Sequence, residues 1–272
     1  MGQAEVGKPR GLLHPDQGAR KFHLTLHAPA PELGFFVAHN WIVTWDLRGQ
    51  EPYLQENLPH PSVHLTIEPG QARIAGVVTG RFSYLLKDEG WVFGVKFRPG
   101  AFYPFVQTPV SRFTDRSLPL ADLFGAAGAA LEQAMRAAGD DDQAALALME
   151  AFLRRRSPER DEQVVLINQI VDLIVAERAI TRVDDVVSRF DLNMRTLQRV
   201  FSRYVGVSPK WVIRRYRLHE AAERLAGGEV ADWRDLAFAL GYADQAHFIK
   251  DFRALVGRPP GEYAKKIGAE RG

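Results

Sequence analysis

The sequence of 272 residues contains no cysteine. This absence excludes disulfide bonds, thiolate metal ligands and cysteine nucleophiles, so any enzyme chemistry would depend on histidine, carboxylate and hydroxyl groups. Long hydrophobic runs are also absent: no stretch of about eighteen uncharged apolar residues occurs, and the first residues lack the apolar segment of a secretory signal. We therefore expect a soluble, cytoplasmic protein that does not interact with membranes.

The chain has little excess of one charge sign, because its net charge is only +2. The positive and negative residues are nevertheless unevenly distributed along the sequence. Residues 178–266 carry 17 Lys and Arg against 11 Asp and Glu, whereas residues 1–177 carry 17 against 21. A basic C-terminal part suggests a polyanionic partner for that part, although a solvated basic face without a partner gives the same count. Charge alone leaves both interpretations open.

Composition divides the chain into four parts. Residues 1–20 are rich in Gly, Pro and charge, which predicts a flexible lead-in. Residues 21–117 show short β-rich runs that end in Gly or Gly-Pro turns, as expected for a sandwich-like or barrel-like domain. Residues 118–158 are rich in Ala and Leu and predict a helical connector, and residues 159–272 predict an all-α domain. The predicted fold class is therefore α+β.

The C-terminal part contains an internal repeat at an interval of about fifty residues. The segment DDVVSRFDLNMRTLQRVFSRYVGVSPKWV aligns with RDLAFALGYADQAHFIKDFRALVGRPPGEY. The aligned pairs include Val186 with Leu236, Phe190 with Leu240, Leu197 with Phe248, Phe201 with Phe252, Gly206 with Gly257 and Pro209 with Pro260. Each copy predicts a short helix, a tight turn and a second helix.

Helical periodicity gives the second helix of each copy a buried and an exposed side. The apolar side is formed by Leu197, Val200, Phe201 and Tyr204 in the first copy and by Phe248, Phe252, Leu255 and Val256 in the second. The outward side is formed by Arg195, Gln198, Arg199, Ser202 and Arg203 in the first copy and by Gln245, His247, Lys250 and Arg253 in the second. One such helix is typical of any amphipathic surface helix, but two matching copies favour a pair of helix-turn-helix units.

Capping residues support the same boundaries. Thr181 with Asp184 resembles a capping box, and Asn193, Asp232 and Asp244 stand where further helix caps are expected. Ser208 and Pro209 predict the start of a long helix between the copies, which ends at Gly227 and Gly228. At about 1.5 Å per residue, its roughly nineteen residues form a rod of about 28 Å, close to the roughly 34 Å between neighbouring major-groove faces.

Residues from about 180 to 265 resemble the DNA-binding domain of AraC-type transcription regulators, most specifically in GYADQAHFIKDFRALVGRPPGEY. The resemblance implies that the second helix of each unit enters the major groove of double-stranded DNA. Carried over by position, the implied DNA-binding residues are Arg195, Gln198, Arg199, Gln245, His247 and Lys250. Arg and Lys can donate to guanine O6 and N7, and Gln can pair with adenine. Pro259 departs from the family's usual Ser or Thr, which leaves the phosphate contacts of the second unit open.

The upstream part, including WIVTWDL, LPHPSVHL and VFGVKFRPGAFYPF, resembles an uncharacterised sensor-type domain found ahead of such DNA-binding domains. This resemblance supplies an architecture and no ligand.

Three other groups of residues were weighed for chemistry. His60 and His64 would share a face of an extended strand and, with His39, could bind a metal ion, but packed core histidines are the more common arrangement. Trp41 and Trp45 alternate onto one strand face, where with Trp91 they could line a ligand pocket or simply form core. The basic run 154–156 is interpreted as structural, since it complements the dipole at a helix C-terminus.

These features predict a sequence-specific transcription regulator, taken to be an activator, that is controlled by a small ligand or by dimerisation through its N-terminal part. RNA polymerase, a small-molecule effector and a second copy of the chain are the further candidate partners, and no cofactor, metal ion or enzyme activity is expected. Two alternatives stay open: a constitutive DNA-binding regulator, and an enzyme domain that the C-terminal module delivers to DNA. A repair protein that accepts alkyl groups would need a cysteine, which the chain lacks.

Overall fold

The structure is a computed structural model that describes residues 11, 13, 15–139, 141–228 and 233–271. It confirms the α+β class, because the described strands all precede Leu120 and the chain after that point is helical. The strands are β1 (His23–His27), β2 (Val37–Asp46), β3 (Tyr53–Asn57), β4 (His64–Glu68), β5 (Gln71–Ala75), β6 (Phe82–Leu86), β7 (Glu89–Phe97) and β8 (Ser117–Pro119).

The strands form two antiparallel sheets. Six of them make one sheet in the order β1-β2-β7-β4-β5-β8, and β3 pairs with β6 as a separate two-stranded ribbon. The hairpin between β4 and β5 turns at Gly70, whose φ of +86° lies in the left-handed region that favours glycine. Gly and Pro turns therefore divide this part as the sequence predicts.

Side chains alternate between the two faces of the six-stranded sheet. One face is apolar and is covered by helices of the predicted connector, with a core that includes Ile42, Leu65, Ile67, Phe93, Phe97, Leu131, Met135, Met149 and Phe152. Trp41 and Trp45 lie together on the opposite face, as predicted, whereas Trp91 packs against the helix-covered core. The three tryptophans therefore do not line one pocket.

The helices continue the chain order. They are α1 (Pro15–Gly18), α2 (Tyr103–Val106), α3 (Leu120–Phe124), α4 (Ala126–Ala138), α5 (Asp142–Arg154), α6 (Glu162–Ala176), α7 (Val183–Phe190), α8 (Met194–Val200), α9 (Pro209–Gly227), α10 (Trp233–Ala239), α11 (Gln245–Val256) and α12 (Pro260–Arg271). Short 3-10 turns occupy Pro31–Leu33 and Val110–Arg112, and a π-helical turn follows α8 at Phe201–Val205. Over the described ranges, none of these helices combines the length and apolar character that a bilayer crossing requires.

The helix α9 connects two small cores. Its first half contributes Val212 and Ile213 to a core shared with α6, α7 and α8. Its second half contributes Leu218 and Leu225 to a core shared with α10, α11 and α12. The first helix-turn-helix unit is therefore α7 and α8, the second is α10 and α11, and α9 belongs to both.

Most predicted caps are confirmed. The Asn193 side chain accepts from the backbone N–H of Arg195 at 2.9 Å, and Asp244 accepts from that of His247 at 2.7 Å. Ser208 caps α9 by accepting from the N–H of Trp211 at 3.2 Å. Each cap satisfies a backbone donor that the first turn of a helix leaves without an intrahelical partner.

The predicted capping box of Thr181 and Asp184 is wrong by one residue. The carboxylate of Asp185 accepts from the backbone N–H groups of Thr181 at 3.1 Å and Arg182 at 2.8 Å. The reason is that α7 begins at Val183, so that Asp185 occupies its third position. The predicted cap Asp232 lies outside the described residues.

Part of the predicted lead-in is packed against the rest of the chain. Leu13 is buried in the core that contains Leu218, together with Leu58. The Leu13 N–H donates to the Glu56 carbonyl at 3.1 Å, and the Leu58 N–H donates to the Gly11 carbonyl at 2.7 Å. An apolar residue in a Gly- and Pro-rich segment is held here by tertiary contacts that local composition does not show.

Candidate nucleic-acid interface

The helix α8 presents three of the predicted DNA-binding side chains. Arg195, Gln198 and Arg199 are exposed, and the opposite side of the helix is anchored by the buried Leu197. None of the three exposed side chains forms a hydrogen bond or an ion pair with another residue that the structure describes. Their donors are therefore free to contact an external acceptor.

The helix α11 presents the other three side chains in a different environment. Gln245 is half-buried, while His247 and Lys250 are exposed above the buried Phe248 and Phe252. The side chain of Lys250 has no hydrogen bond or ion pair to any described residue. One helix face thus carries a free ammonium group beside an imidazole.

His247 is held by its own domain. Its Nε2 lies 3.2 Å from the Arg214 guanidinium and 3.7 Å from the Asp251 carboxylate, and its ring packs edge-on against Tyr242 at 5.5 Å between centroids. Arg214 of α9 also forms an ion pair with Asp251. These contacts bind α11 to α9 and fix the direction of the imidazole.

Hydrogen bonds tie the end of the first unit to residues earlier in the chain, two of which, Tyr103 and Thr114, belong to the N-terminal half. The π-helical turn places the Arg203 guanidinium against the Tyr103 hydroxyl, with Nε at 2.7 Å. The Tyr204 hydroxyl donates to Asp161 at 2.9 Å, and burial followed by this carboxylate contact raises the pKa of Tyr204 to about 12. The Thr114 hydroxyl donates to the Gly206 carbonyl at 2.7 Å. Arg203 is exposed, as predicted, but it already contacts Tyr103.

The second unit borders the N-terminal half through Arg81. Arg81 forms an ion pair with the buried Glu56, and a Cβ atom at Gly257 would lie 2.6 Å from its Nη1. Arg81 lines an open cavity of about 660 Å³ together with residues of α11 and its end, namely Ala246, Ile249, Lys250, Arg253, Ala254 and Gly257. Sequence reasoning did not find this neighbour, because Arg81 precedes a strand and has no helical periodicity.

Buried arginines fix α9 against its surroundings. Arg217 is 2% exposed, forms an ion pair with Glu220 at 2.7 Å and donates to the Glu177 carbonyl at 3.2 Å. Arg215 donates to the Thr79 carbonyl at 2.5 Å across the two halves of the chain. A cation that bonds to carbonyls at the end of α6 also complements its dipole. The rod between the two units is therefore fixed to its surroundings near its middle.

The histidine cluster proposed as a metal site is not assembled. The prediction that His60 and His64 share a strand face is wrong, because β4 begins at His64 and the prolines around His60 keep it in a loop. His60 packs against His219 with ring centroids 4.5 Å apart, whereas His64 lies 6.3 Å from Trp41. Among the described residues, no group of three or more His, Cys, Asp or Glu side chains is arranged to hold a metal ion.

Comparison with known protein families finds two separate matches, one to the β-rich part of the chain and one to the C-terminal helices. Residues 25–119 match a domain of unknown function, DUF6597, and residues 186–266 match a helix-turn-helix domain family. The HTH-type transcriptional activator RhaS of Escherichia coli O139:H28 (strain E24377A / ETEC) is 37% identical over 70 residues, which cover 26% of this chain and 25% of RhaS. The uncharacterized HTH-type transcriptional regulator YtdP of Bacillus subtilis (strain 168) is 31% identical over 83 residues, which cover 30% of this chain and 11% of YtdP.

These alignments span at most about a quarter of each curated relative. Among solved structures, ToxT from Vibrio cholerae O395 aligns over 91% of this chain and 98% of its own, at 13% sequence identity and a TM-score of 0.39. The match to the helix-turn-helix family runs from within α7 through α8, α9 and α10 to beyond the end of α11. The chain therefore carries a helix-turn-helix domain behind a segment that matches a domain of unknown function.

Proposed function

We propose that the protein is a sequence-specific transcription regulator whose two helix-turn-helix units bind neighbouring major-groove segments of double-stranded DNA. The observation that carries this proposal is the shared helix α9, which is buried in the cores of both units. A helix of 19 residues spans about 28 Å at about 1.5 Å per residue. That length suits two groove entries one turn of B-DNA apart, roughly 34 Å.

The proposed base-reading residues are Arg195, Gln198 and Arg199 on α8 and Gln245, His247 and Lys250 on α11. Unpaired guanidinium and ammonium groups supply both phosphate neutralisation and donors for guanine, while the two glutamines suit adenine. The free side chains of α8 favour direct base contacts there. On α11, Lys250 is the side chain with the same freedom.

The wider regulatory role follows from the same chemistry. We propose action in the cytoplasm, where a bacterial-type regulator meets DNA, and activation of transcription as the name of the relative RhaS indicates. Activation requires contact with RNA polymerase, and the N-terminal half supplies the surface for an effector or for a second copy of the chain. The hydrogen bonds from Tyr103 and Thr114 to the end of the first unit offer a route by which that half could influence DNA binding.

Selection of bound duplexes from a random DNA library tests the proposal with the full chain. We expect enrichment of a site with two conserved segments about one helical turn apart, and affinity that falls steeply as salt rises. Arg195→Ala should change the enriched sequence. Arg136→Ala is the matched control, because it removes an equal charge from an exposed site on α4, a helix that belongs to neither unit. Recovery of unenriched DNA by the folded wild type contradicts the proposal.

A further inference from the structure

Two histidines and one lysine form a row across three neighbouring strands of the six-stranded sheet. The strand registers place His39 of β2 and His64 of β4 directly opposite Lys96 of β7, so the three side chains share one face. This face is the one opposite the helix-covered core. All three residues are half-buried, and none has a hydrogen bond or an ion pair with another residue that the structure describes.

Aromatic rings border this row. Trp41 lies two residues from His39 on the same face, with its ring centroid 6.3 Å from that of His64. Its indole lies on Gly94 of β7, where a Cβ atom would fall 1.9 Å from the ring atom Cε2. Only glycine fits below the indole. The Trp41 ring therefore lies over Gly94, which is the neighbour of Lys96 on this face of β7.

The two-stranded ribbon contacts the same face at its Trp45 end. Tyr84 of β6 packs against Trp45 with centroids 6.1 Å apart, and its hydroxyl donates to Glu68 of β4. Gln71 donates to that carboxylate as well. Glu68 is four residues beyond His64, about 13 Å at roughly 3.3 Å per residue, and its oxygens are already bonded. It therefore does not neutralise Lys96.

Burial determines the charge of the row. It lowers the pKa of the Lys96 ammonium to about 8, and burial together with the nearby ammonium lowers the pKa of His39 to about 4 and that of His64 to about 3. At neutral pH the row holds one cation between two neutral imidazoles. A half-buried charge without a compensating partner is costly, and a bound anion would remove that cost.

We propose that His39, Lys96 and His64 bind the carboxylate of a small aromatic acid whose ring packs against Trp41. One full positive charge matches one carboxylate, and the imidazole N–H groups can donate to it. The indole surface selects a planar apolar body, which inorganic phosphate lacks. The ammonium in the centre of the row disfavours a metal cation. Under the proposed function this acid would be the effector, and the inference rests on that function only for its regulatory meaning.

Calorimetric titration of the full chain tests the site. The probes are benzoate, 1-naphthoate and indole-3-acetate, each compared with its neutral amide, together with inorganic phosphate and Zn²⁺. We expect at least one carboxylate to bind, its amide to bind about tenfold more weakly or worse, and Lys96→Met to reduce carboxylate binding by at least a similar factor. Lys87→Met removes an exposed lysine and should leave binding unchanged.

Several outcomes overturn the inference. They are the absence of carboxylate binding by folded protein, equal binding of acid and amide, binding that Lys96→Met leaves intact, or binding of phosphate or Zn²⁺ alone. Lys96→Arg, which keeps the charge, should restore part of the affinity lost in Lys96→Met and so separates charge from packing. DNA affinity is measured on the same samples. DNA binding without carboxylate binding would contradict only the proposed carboxylate site. Carboxylate binding without DNA binding would contradict only the proposed function as a regulator.

Discussion

In the part of the chain that the structure describes, cations without a hydrogen-bond or ion-pair partner lie both on α8 and on the six-stranded sheet, and their surroundings differ. On α8, Arg195 and Arg199 are exposed at a helix surface. On the sheet face opposite the helix-covered core, Lys96 is half-buried and its pKa is lowered to about 8. An exposed cation remains solvated and contributes to binding a large polyanion by releasing counterions. A buried cation is desolvated, so it depends on a small ligand that enters with matching charge.

The comparison implies that the two regions can be disrupted independently. Changes on the helix-turn-helix surface should alter DNA affinity and leave the titration of Lys96 in place. Changes at Lys96 should alter the pH dependence of stability and leave DNA affinity nearly unchanged.

Leu218→Pro should have the largest effect. Leu218 is 6% exposed in the middle of α9, and proline there removes a backbone donor and breaks the helix at a cost of about 3 kcal/mol or more. We expect DNase footprints to lose the combined protection of two groove segments, with weak nonspecific affinity left. Leu218→Ala is the control, since it opens a cavity but keeps the helix backbone. Undiminished double protection by Leu218→Pro, compared at equal folded fraction, would show that α9 does not set the spacing.

Arg195→Ala should cost about 1 to 3 kcal/mol of binding free energy at the preferred site and relax the preference at one base pair. The unfolding free energy should change little, because the side chain has no partner in the described structure. Affinity for the preferred site and for single-base variants is measured by fluorescence anisotropy, beside Arg136→Ala. An equal loss across all DNA sequences would reassign Arg195 to a phosphate contact.

Gln245→Ala should cost less binding free energy at the preferred DNA site, about 1 kcal/mol. The reason is that Gln245 is half-buried and presents less of its amide to DNA. The change should relax base preference at the second half of the site only. Lys250→Ala is the useful companion, since a lost phosphate contact weakens binding to all sequences and lowers the salt slope by about one. Identical specificity profiles for wild type and Gln245→Ala would remove that residue from the reading surface.

Lys96→Met should change pH dependence more than DNA binding. Burial lowers the pKa of Lys96 from its ordinary value of 10.5 to about 8, so between these values the unfolded chain holds the proton that the folded chain has released. Stability of the wild type relative to Lys96→Met should therefore rise as pH increases from about 8 to 10.5. Chemical denaturation at several pH values measures this difference. A flat difference across that interval would place Lys96 in a solvated environment.

Local patterns account for the parts of the fold that were predicted. The stripe from Leu197 to Tyr204 and the caps Asn193 and Ser208 depend on residues within one or two turns, so periodicity and capping preferences identify them. The strand alternation of Trp41 and Trp45 is local in the same way. The sequence predicts Asp184 as the capping acid, whereas Asp185 caps the helix. Either of these two adjacent acids fits the capping-box pattern, so the sequence alone does not distinguish them.

Contacts between distant segments account for what was missed. Tyr103 with Arg203, and Arg81 with the end of α11, join residues 100 or more positions apart, and no periodic signal marks them. The row of His39, Lys96 and His64 depends on the register of three strands that are not consecutive in the chain. The sequence analysis considered two of these histidines with His60 as metal ligands, and strand register supplies Lys96 as the member between them.

Site-directed DNA cleavage measures whether the two units read one DNA site from a single rigid frame. Because the chain lacks cysteine, Ser202→Cys and Ala246→Cys each provide one exposed thiol, beside α8 and on α11, for an iron chelate that cleaves nearby DNA. On the same duplex, the account predicts two cleavage centres on one face, about one helical turn or ten base pairs apart. Cleavage at one shared position, or from one of the two thiols alone, would contradict it.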